Sequence, residues 1–273
     1  MNIVLDLVFV LAFHMGVAGV DYATILSQGI SALLVLAVLL RSDNCCRVQV
    51  KKLKMHWNVL KKIVKVGIPA AIQMAITSFS NVFVQSYINY FGADCMGGWT
   101  AYTKIDAFLF LPMQSVSMGA TTFVGQNLGV NDVPRARQGV SAALRISMLI
   151  TVGLMLPVIA FAPYLVRFFN DTPEVVRLGT LFLRMMSPFY VLCCVNQILA
   201  GSLRGAGDSR TPMFIMLGSF VVFRQIYLFL MTRFVSNTIV PVAMGYPAGW
   251  LVCSTITYLY FRFAHWEKHR IVE

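Results

Sequence analysis

The sequence predicts an all-α integral membrane protein, a polytopic bundle of about eight transmembrane helices. Three observations predict it. Of 273 residues, 58% are hydrophobic and 12% are charged, where a soluble domain carries about a quarter charged residues. The apolar residues gather in eight runs, at roughly 2–19, 22–40, 64–91, 99–127, 138–168, 175–203, 211–233 and 238–264, and a helix needs about 20 such residues to cross the hydrocarbon core. The Lys and Arg gather in the breaks between runs, with 8 of the 22 lying between Arg41 and Lys65.

Each run carries its own signal. The first, opening MNIVLDLVFVLAF, holds Asn2 and Asp6 four residues apart, which a helix stacks on one face. A carboxylate at membrane depth costs about 3 kcal/mol on insertion scales and normally faces the bundle interior or a water-filled cavity. Thr24, in the second run, can bring a hydroxyl to the same place. An amide oxygen, a carboxylate and a hydroxyl are hard oxygen ligands that hold Na⁺ or relay H⁺. The plainer reading, that Asp6 caps or bridges helices near one membrane face, stays open.

The hydrophilic stretch after Arg41 divides the chain into residues 1–41, a linker at 42–62 and six runs in 63–273. Its second half, VQVKKLKMHWNVLKKIVK, spaces Val48, Leu53, Met55, Trp57, Val59 and Leu60 among lysines. That pattern suits an interfacial amphipathic helix on anionic headgroups, or a solvated connector. HMGVAGVDYATILSQ and VAMGYPAGWLVCST each place a small-residue Gly/Ala turn at the start of a span. This faint symmetry suits the repeated bundles of secondary transporters.

Within the six runs, Gln73, Thr77 and Asn81 form one polar stripe on an apolar helix, followed by Gln85. The stripe lines a solute path or bonds between helices. The fourth run holds Lys104 and Asp106 near one end, where a lysine can snorkel to the surface. Asn196 and Gln197 in the sixth run, and Arg224 with Gln225 in the seventh, are further cavity candidates. Arg224 leads these, lying more than ten residues in from Thr211. GQNLGVNDVPRARQG reads as a helix stop, a turn and a restart at Pro134. GSLRGAGDSRTP reads as a turn in which Gly205 and Gly207 permit left-handed angles, Thr211 caps the next helix and Pro212 opens it. It lacks the G-K-[ST] ending of a phosphate loop.

Fifteen of the 22 Lys and Arg fall on one side when the segment from Arg41 to Lys65 is placed in the cytoplasm. The expected protein is therefore a multi-pass protein of the cell membrane with both termini cytoplasmic. The net charge of +11 lies in loops rather than on a continuous basic face, so no nucleic-acid partner is expected. The cysteines (45, 46, 95, 193, 194 and 253) have neither C-x-x-C nor zinc-like spacing. They are read as free thiols, with no metal site and no cofactor. No nucleophile–base set and no paired carboxylates appear, so no enzyme activity is expected.

Several stretches together resemble the multidrug and toxic compound extrusion (MATE) family of antiporters. They are NIVLD with VAGVDYATILSQ, then VGIPAAIQ, WTAYTKIDAFLFLPMQSVSMGATTFVGQNLG and LAGSLRGAGDSRTPM, and they run in order over almost the whole chain. The resemblance implies twelve helices in two six-helix lobes that rock as bundles. It implies export of small cationic or amphiphilic solutes in exchange for Na⁺ or H⁺. On this alignment the chain supplies the last two helices of the first lobe and the whole second lobe, with four helices missing in front as a candidate partner. Asn2, Asp6 and Thr24 match the coupling-cation site of one branch. The second-lobe acidic positions of another branch read Thr77 and about Cys193. Two other readings remain: a flippase for lipid-linked saccharides from the same superfamily, and a non-transporting membrane partner subunit.

Overall fold

The computed structural model describes residues 1–41, 48–49, 54–235, 238–264 and 266. Much of the expected linker, including Cys45, Cys46 and Leu53, lies outside these residues, as do His265, Lys268, His269 and Arg270. Two compact units emerge, Met1–Trp57 and Asn58–Glu273. Among the described residues seven helices are long and apolar enough to cross a membrane, and one apolar helix, Asn2–Ala12, is shorter.

The first unit is a hairpin of α1 (Asn2–Ala12), whose second half is a wider π-type turn, and α2 (Gly16–Arg41). The first run therefore breaks earlier than its hydropathy suggests, at 13–15 rather than near 20. His14 (φ 51°) and Gly16 (φ 57°) provide the left-handed backbone that reverses the chain. Gly19, Ala23 and Ser27 are the buried residues of α2 and recur every four positions. A Cβ on Gly19 would stand 3.0 Å from Met15 Cβ and 3.2 Å from Phe9 Cβ. Small residues on this stripe let the two backbones approach.

The second unit packs α3 (Trp57–Asn89), α4 (Ala93–Gly129), α5 (Val133–Ala160), the short α6 (Ala162–Arg167), α7 (Pro173–Gly205), α8 (Arg210–Val235) and α9 (Ile239–Phe263). α4 and α7 form its centre. A Cβ on Gly201 would meet Ser117 Oγ at 2.3 Å, and one on Gly205 would meet the Thr121 carbonyl oxygen at 2.3 Å. Thr121 Oγ donates to the Gly201 carbonyl (2.8 Å) and Ser117 Oγ to the Gln197 carbonyl (2.7 Å). The G-x-x-x-G spacing in AGSLRG thus makes a close helix crossing, with hydroxyls bonding across it. Gly205 is kept small by packing, and only Gly207 (φ 93°) needs the left-handed freedom expected of the turn. Gly245 and Gly249 likewise lie inside α9, where added Cβ atoms would crowd Leu228 at 3.1 Å and Phe220 at 3.2 Å, so VAMGYPAG is a contact surface rather than a turn.

The turns after α4 and after α7 are capped by their own acids. In GQNLGVNDVPRARQG the chain turns through Asn131 (φ 65°), and Asp132 Oδ1 accepts from the Arg135 backbone N–H at 3.0 Å with a proline in the first turn. At the next turn Thr211 does not cap α8. Asp208 Oδ1 accepts from the Thr211 N–H at 3.0 Å, its Oδ2 accepts from Tyr260 OH at 2.9 Å, and Thr211 Oγ lies 3.3 Å from that same hydroxyl. A carboxylate one turn ahead satisfies the free N–H better than a hydroxyl and suits the positive helix end. Asp132→Ala should cost about 1 kcal/mol, read as a fall of a few degrees in the melting temperature of the detergent-solubilised protein. An unchanged melt would remove the cap from the stability account.

Candidate functional site

Two polar constellations lie inside otherwise apolar helices, one in each unit. In the first, α1 and α2 bring Asn2 to α2. Its side-chain nitrogen lies 3.4 Å from both Thr24 Oγ and Ser27 Oγ, and Ser27 Oγ donates to the Thr24 carbonyl at 3.0 Å. Asp6 lies one turn beyond Asn2. Its Oδ1 is shielded from solvent and has no hydrogen-bond partner among the described residues. Asn2 and Thr24 are thus joined directly, and Asp6 follows one turn along α1 with an oxygen that neither of them bonds. Ser27 is an addition that the sequence reading missed, although it sits one turn beyond Thr24 on the same face. The donor set is an amide, two hydroxyls and a carboxylate. These are hard ligands suited to an alkali cation or a proton and unsuited to a soft transition metal.

The second constellation lines a cavity of about 700 Å³. α3 contributes Gln73, Thr77 and Asn81, α7 contributes Asn196 and Gln197, and α8 contributes Arg224; Gln225, also a candidate from sequence, is not among the lining residues and lies 3.3 Å from Ser80 Oγ instead. They differ in what they do. Gln73 directs its side-chain nitrogen at Met216 Sδ, and among the described residues its buried oxygen and the Thr77 hydroxyl have no partner. Asn196 Oδ1 accepts from Cys253 Sγ at 3.2 Å and from Thr257 Oγ at 3.3 Å, so it ties α7 to α9. Gln85 bonds Asn89 at 2.9 Å on an exposed part of α3, outside the cavity.

Arg224 is 2% exposed. Its Nη2 donates to Ser80 Oγ at 2.7 Å and to Asn81 Oδ1 at 3.0 Å, and its guanidinium carbon lies 4.8 Å over the Tyr246 ring. α8 widens into a π-type turn at Gly218–Phe223 immediately before it. Ser80 Oγ donates to the Phe220 carbonyl in that turn at 2.8 Å. A π-turn inserts an extra residue into the helix and re-aims the side chains on its C-terminal side, and the first of these is the arginine.

The residue that sequence reasoning named without placing is Asp106. Tyr190 OH donates to Asp106 Oδ1, and Tyr102 OH lies 3.4 Å from the same oxygen. Asp106 lines the cavity, whereas Lys104 is exposed and does not. Two positions along a helix turn the side chain about 200°, so the two cannot share a face. Trp99, Tyr102, Phe110, Tyr246 and Trp250 line the same cavity, with Trp99 and Tyr246 ring centroids 5.5 Å apart and Tyr190 and Trp250 5.7 Å apart. The i, i+3, i+7 order of Trp99, Tyr102 and Asp106 was a usable signal. Tyr190, 84 residues away, gave none. The four described cysteines are buried free thiols, and Cys194 Sγ lies 3.1 Å from Ser147 Oγ.

Known proteins are similar to this chain over most of its length. The family model described as MatE matches residues 69–230, which holds α4, α5 and α7 and most of the cavity lining. The chain is 30% identical over 271 residues to the probable multidrug resistance protein YpnP of Bacillus subtilis, covering 99% of this chain and 60% of that one. It is 24% identical over 261 residues to the probable multidrug resistance protein NorM of Thermotoga maritima, covering 95% and 56%. A MOP superfamily transporter from Pyrococcus furiosus superposes with a TM-score of 0.90 at 21% identity, over 96% of this chain and 59% of that one. An outward-facing multidrug resistance MATE family transporter of the same superfamily superposes at 0.88 and 21%, over 96% and 59%. The chain spans about 60% of the length of the curated relatives it matches. With the family model covering more than half of its residues and the helices superposing on these folds throughout, the chain belongs to the MatE family.

Proposed function

We propose that this chain forms the cavity-bearing part of a secondary active exporter that moves small cationic or amphiphilic solutes across the cell membrane in exchange for Na⁺ or H⁺. The observation that carries the reading is Asp6. A carboxylate oxygen kept from water with no hydrogen-bond partner is costly in an apolar helix pair, and a bound cation or proton removes that cost. Asn2, one turn before it, and Thr24 and Ser27 on α2 supply further oxygens in the same hairpin, and in this reading the ion binds and leaves at this hairpin. The solute path is the second unit's cavity, whose lining is polar at Gln73, Thr77, Asn81, Asn196 and Arg224 among others and includes the rings of Trp99, Tyr102, Phe110, Tyr246 and Trp250. No step of the cycle alters the solute covalently. The distribution of Lys and Arg supports a cytoplasmic location for the segment from Arg41 to Lys65 and for both termini.

Proteoliposomes carrying this protein and loaded with a fluorescent organic cation test the reading. An inward Na⁺ or H⁺ gradient should accelerate efflux severalfold over protein-free vesicles. Efflux indifferent to both gradients would remove the antiport mechanism. Transfer of a lipid-linked saccharide in place of the dye would shift the reading to a flippase.

A further inference from the structure

We propose that the groove between α6 and α7, at the end of the second unit away from Gly205, holds the headgroup of an anionic membrane phospholipid with its phosphate at Arg184. The site lies on the outer surface of the unit and owes nothing to the solute in the central cavity.

Two features set its depth in the membrane. α7 ends at Gly205, ahead of the turn that carries Asp208 and Arg210, and Arg184 lies 21 residues back along the helix. At 1.5 Å per residue that is about 32 Å, close to the thickness of the hydrocarbon core, so Arg184 stands at the headgroup level of the opposite membrane face. The rings around α6 mark the same level. Phe161, Tyr164, Phe168 and Phe169 are all exposed, as in the aromatic belts that sit among headgroups. The exposed ion pairs Arg167–Asp171 and Arg177–Glu174 belong in that layer too, where water reaches them.

The groove has a volume of about 740 Å³, within the range of about 300–1,000 Å³ usual for small-molecule sites. Arg177, Thr180 and Arg184 line it from α7, and their spacing puts them in one row along the helix. Val176, Leu181 and Met185 flank the row, and Pro163 supplies the α6 wall. Glu174 takes the charge of Arg177, whereas Arg184 is exposed and among the described residues has no ion-pair partner. The Thr180 hydroxyl, one turn away, has no partner either, and a χ1 rotation can present it to the groove. A cation and a spare hydroxyl on one face suit an anion with several acceptor oxygens, and the guanidinium fork binds a phosphodiester by two parallel bonds. A free phosphate would engage this row alone and leave Val176, Leu181 and Met185 bare. A phospholipid covers both, its phosphate on Arg184 and its glycerol and upper chains on the apolar flank.

The test uses the full chain in a neutral detergent, with no ion gradient. Native mass spectrometry reads the binding of dioleoylphosphatidylglycerol, dioleoylphosphatidylcholine, dioleoylglycerol and inorganic phosphate, and a diazirine-bearing phosphatidylglycerol maps where the lipid sits. Phosphatidylglycerol should bind about fivefold more tightly than phosphatidylcholine, dioleoylglycerol should bind more weakly than either, and the label should fall on residues 161–185. Arg184→Gln should remove the preference and the label, and Arg184→Lys should keep part of both. Arg145→Gln, a change of an exposed arginine on α5, should leave that label in place. Equal binding of phosphatidylglycerol and dioleoylglycerol by the unaltered protein would overturn the proposal, as would a label confined to other helices, and neither result needs a variant that folds. Displacement of the lipid by inorganic phosphate would overturn it in favour of a free-phosphate site. A lipid-independent dimer lost in Arg184→Gln would overturn it in favour of a second copy of the chain. An undiminished label in a folded Arg184→Gln protein would remove the arginine from the site and the proposal with it.

Discussion

Asp6→Asn should abolish the response of efflux to an ion gradient while leaving the protein folded and slightly more stable. The variant keeps the shape of the side chain and removes its charge, so the oxygen that lacks a partner no longer calls for a cation. Coupling between two ligands is commonly worth 1–3 kcal/mol, about 5- to 150-fold, enough to carry the severalfold acceleration by the gradient, so efflux should fall severalfold, to the level seen without a gradient. Stability moves the other way, because a carboxylate oxygen held away from water without a partner opposes folding more than its neutral amide replacement does. The pair of readouts separates two roles. A residue that merely bridged α1 and α2 would lower the melting temperature when altered and leave the ion dependence in place. Full gradient response in Asp6→Asn would take Asp6 out of the mechanism. Thr24→Val and Ser27→Ala should weaken the response by less, since each removes one neutral oxygen.

The second large effect is expected on folding. Gly205→Ala should destabilise the second unit by several kcal/mol, because the added Cβ would stand 2.3 Å from a backbone oxygen of α4. Overpacking usually costs about 1–3 kcal/mol when side chains can yield, and a main-chain carbonyl in mid-helix cannot. The Thr121-to-Gly201 and Ser117-to-Gln197 bonds would lengthen with the helix separation, so the loss is cooperative. Gly119 is the control. It lies on the same α4 with nothing within 4 Å of its Cβ position, so Gly119→Ala should be neutral or stabilising through helix propensity. Thermal melts and size-exclusion profiles of the two variants in detergent decide the matter. Indistinguishable behaviour would mean that the helices separate freely and that the crossing is not a fixed contact.

Much of the first constellation was legible from sequence because it is local. Asn2 and Asp6 share a face by helical period alone, and Thr24 is near enough in the chain for a hairpin to return it. The position of the reversal was not legible. His14, Met15 and Gly16 sit inside an apolar run, and hydropathy counts composition without registering a left-handed backbone. The same blindness hid the cap of α8, where Thr211 had the right residue type but Asp208 had the right reach. Glycine was misread in the other direction. Gly205 and Gly245 looked like turn residues, and each is instead a place where another helix comes too close for a side chain.

What the sequence determined by itself was the material of the protein: apolar spans, the polar residues interrupting them, and the periodicity that sorts those residues onto faces. What only the tertiary structure decided was which faces meet. Asp106 and Lys104 are two residues apart with nothing in sequence to rank them, and it is Tyr190 on α7 that shows Asp106 to be the inward one. Arg224 was visible as a misplaced charge, yet Ser80, Asn81 and Tyr246, more than 140 residues off or on another helix, make it a wall of a cavity. The reason is physical. Helix formation depends on neighbours a few residues away, whereas burial and charge compensation depend on whatever the folded chain brings into contact.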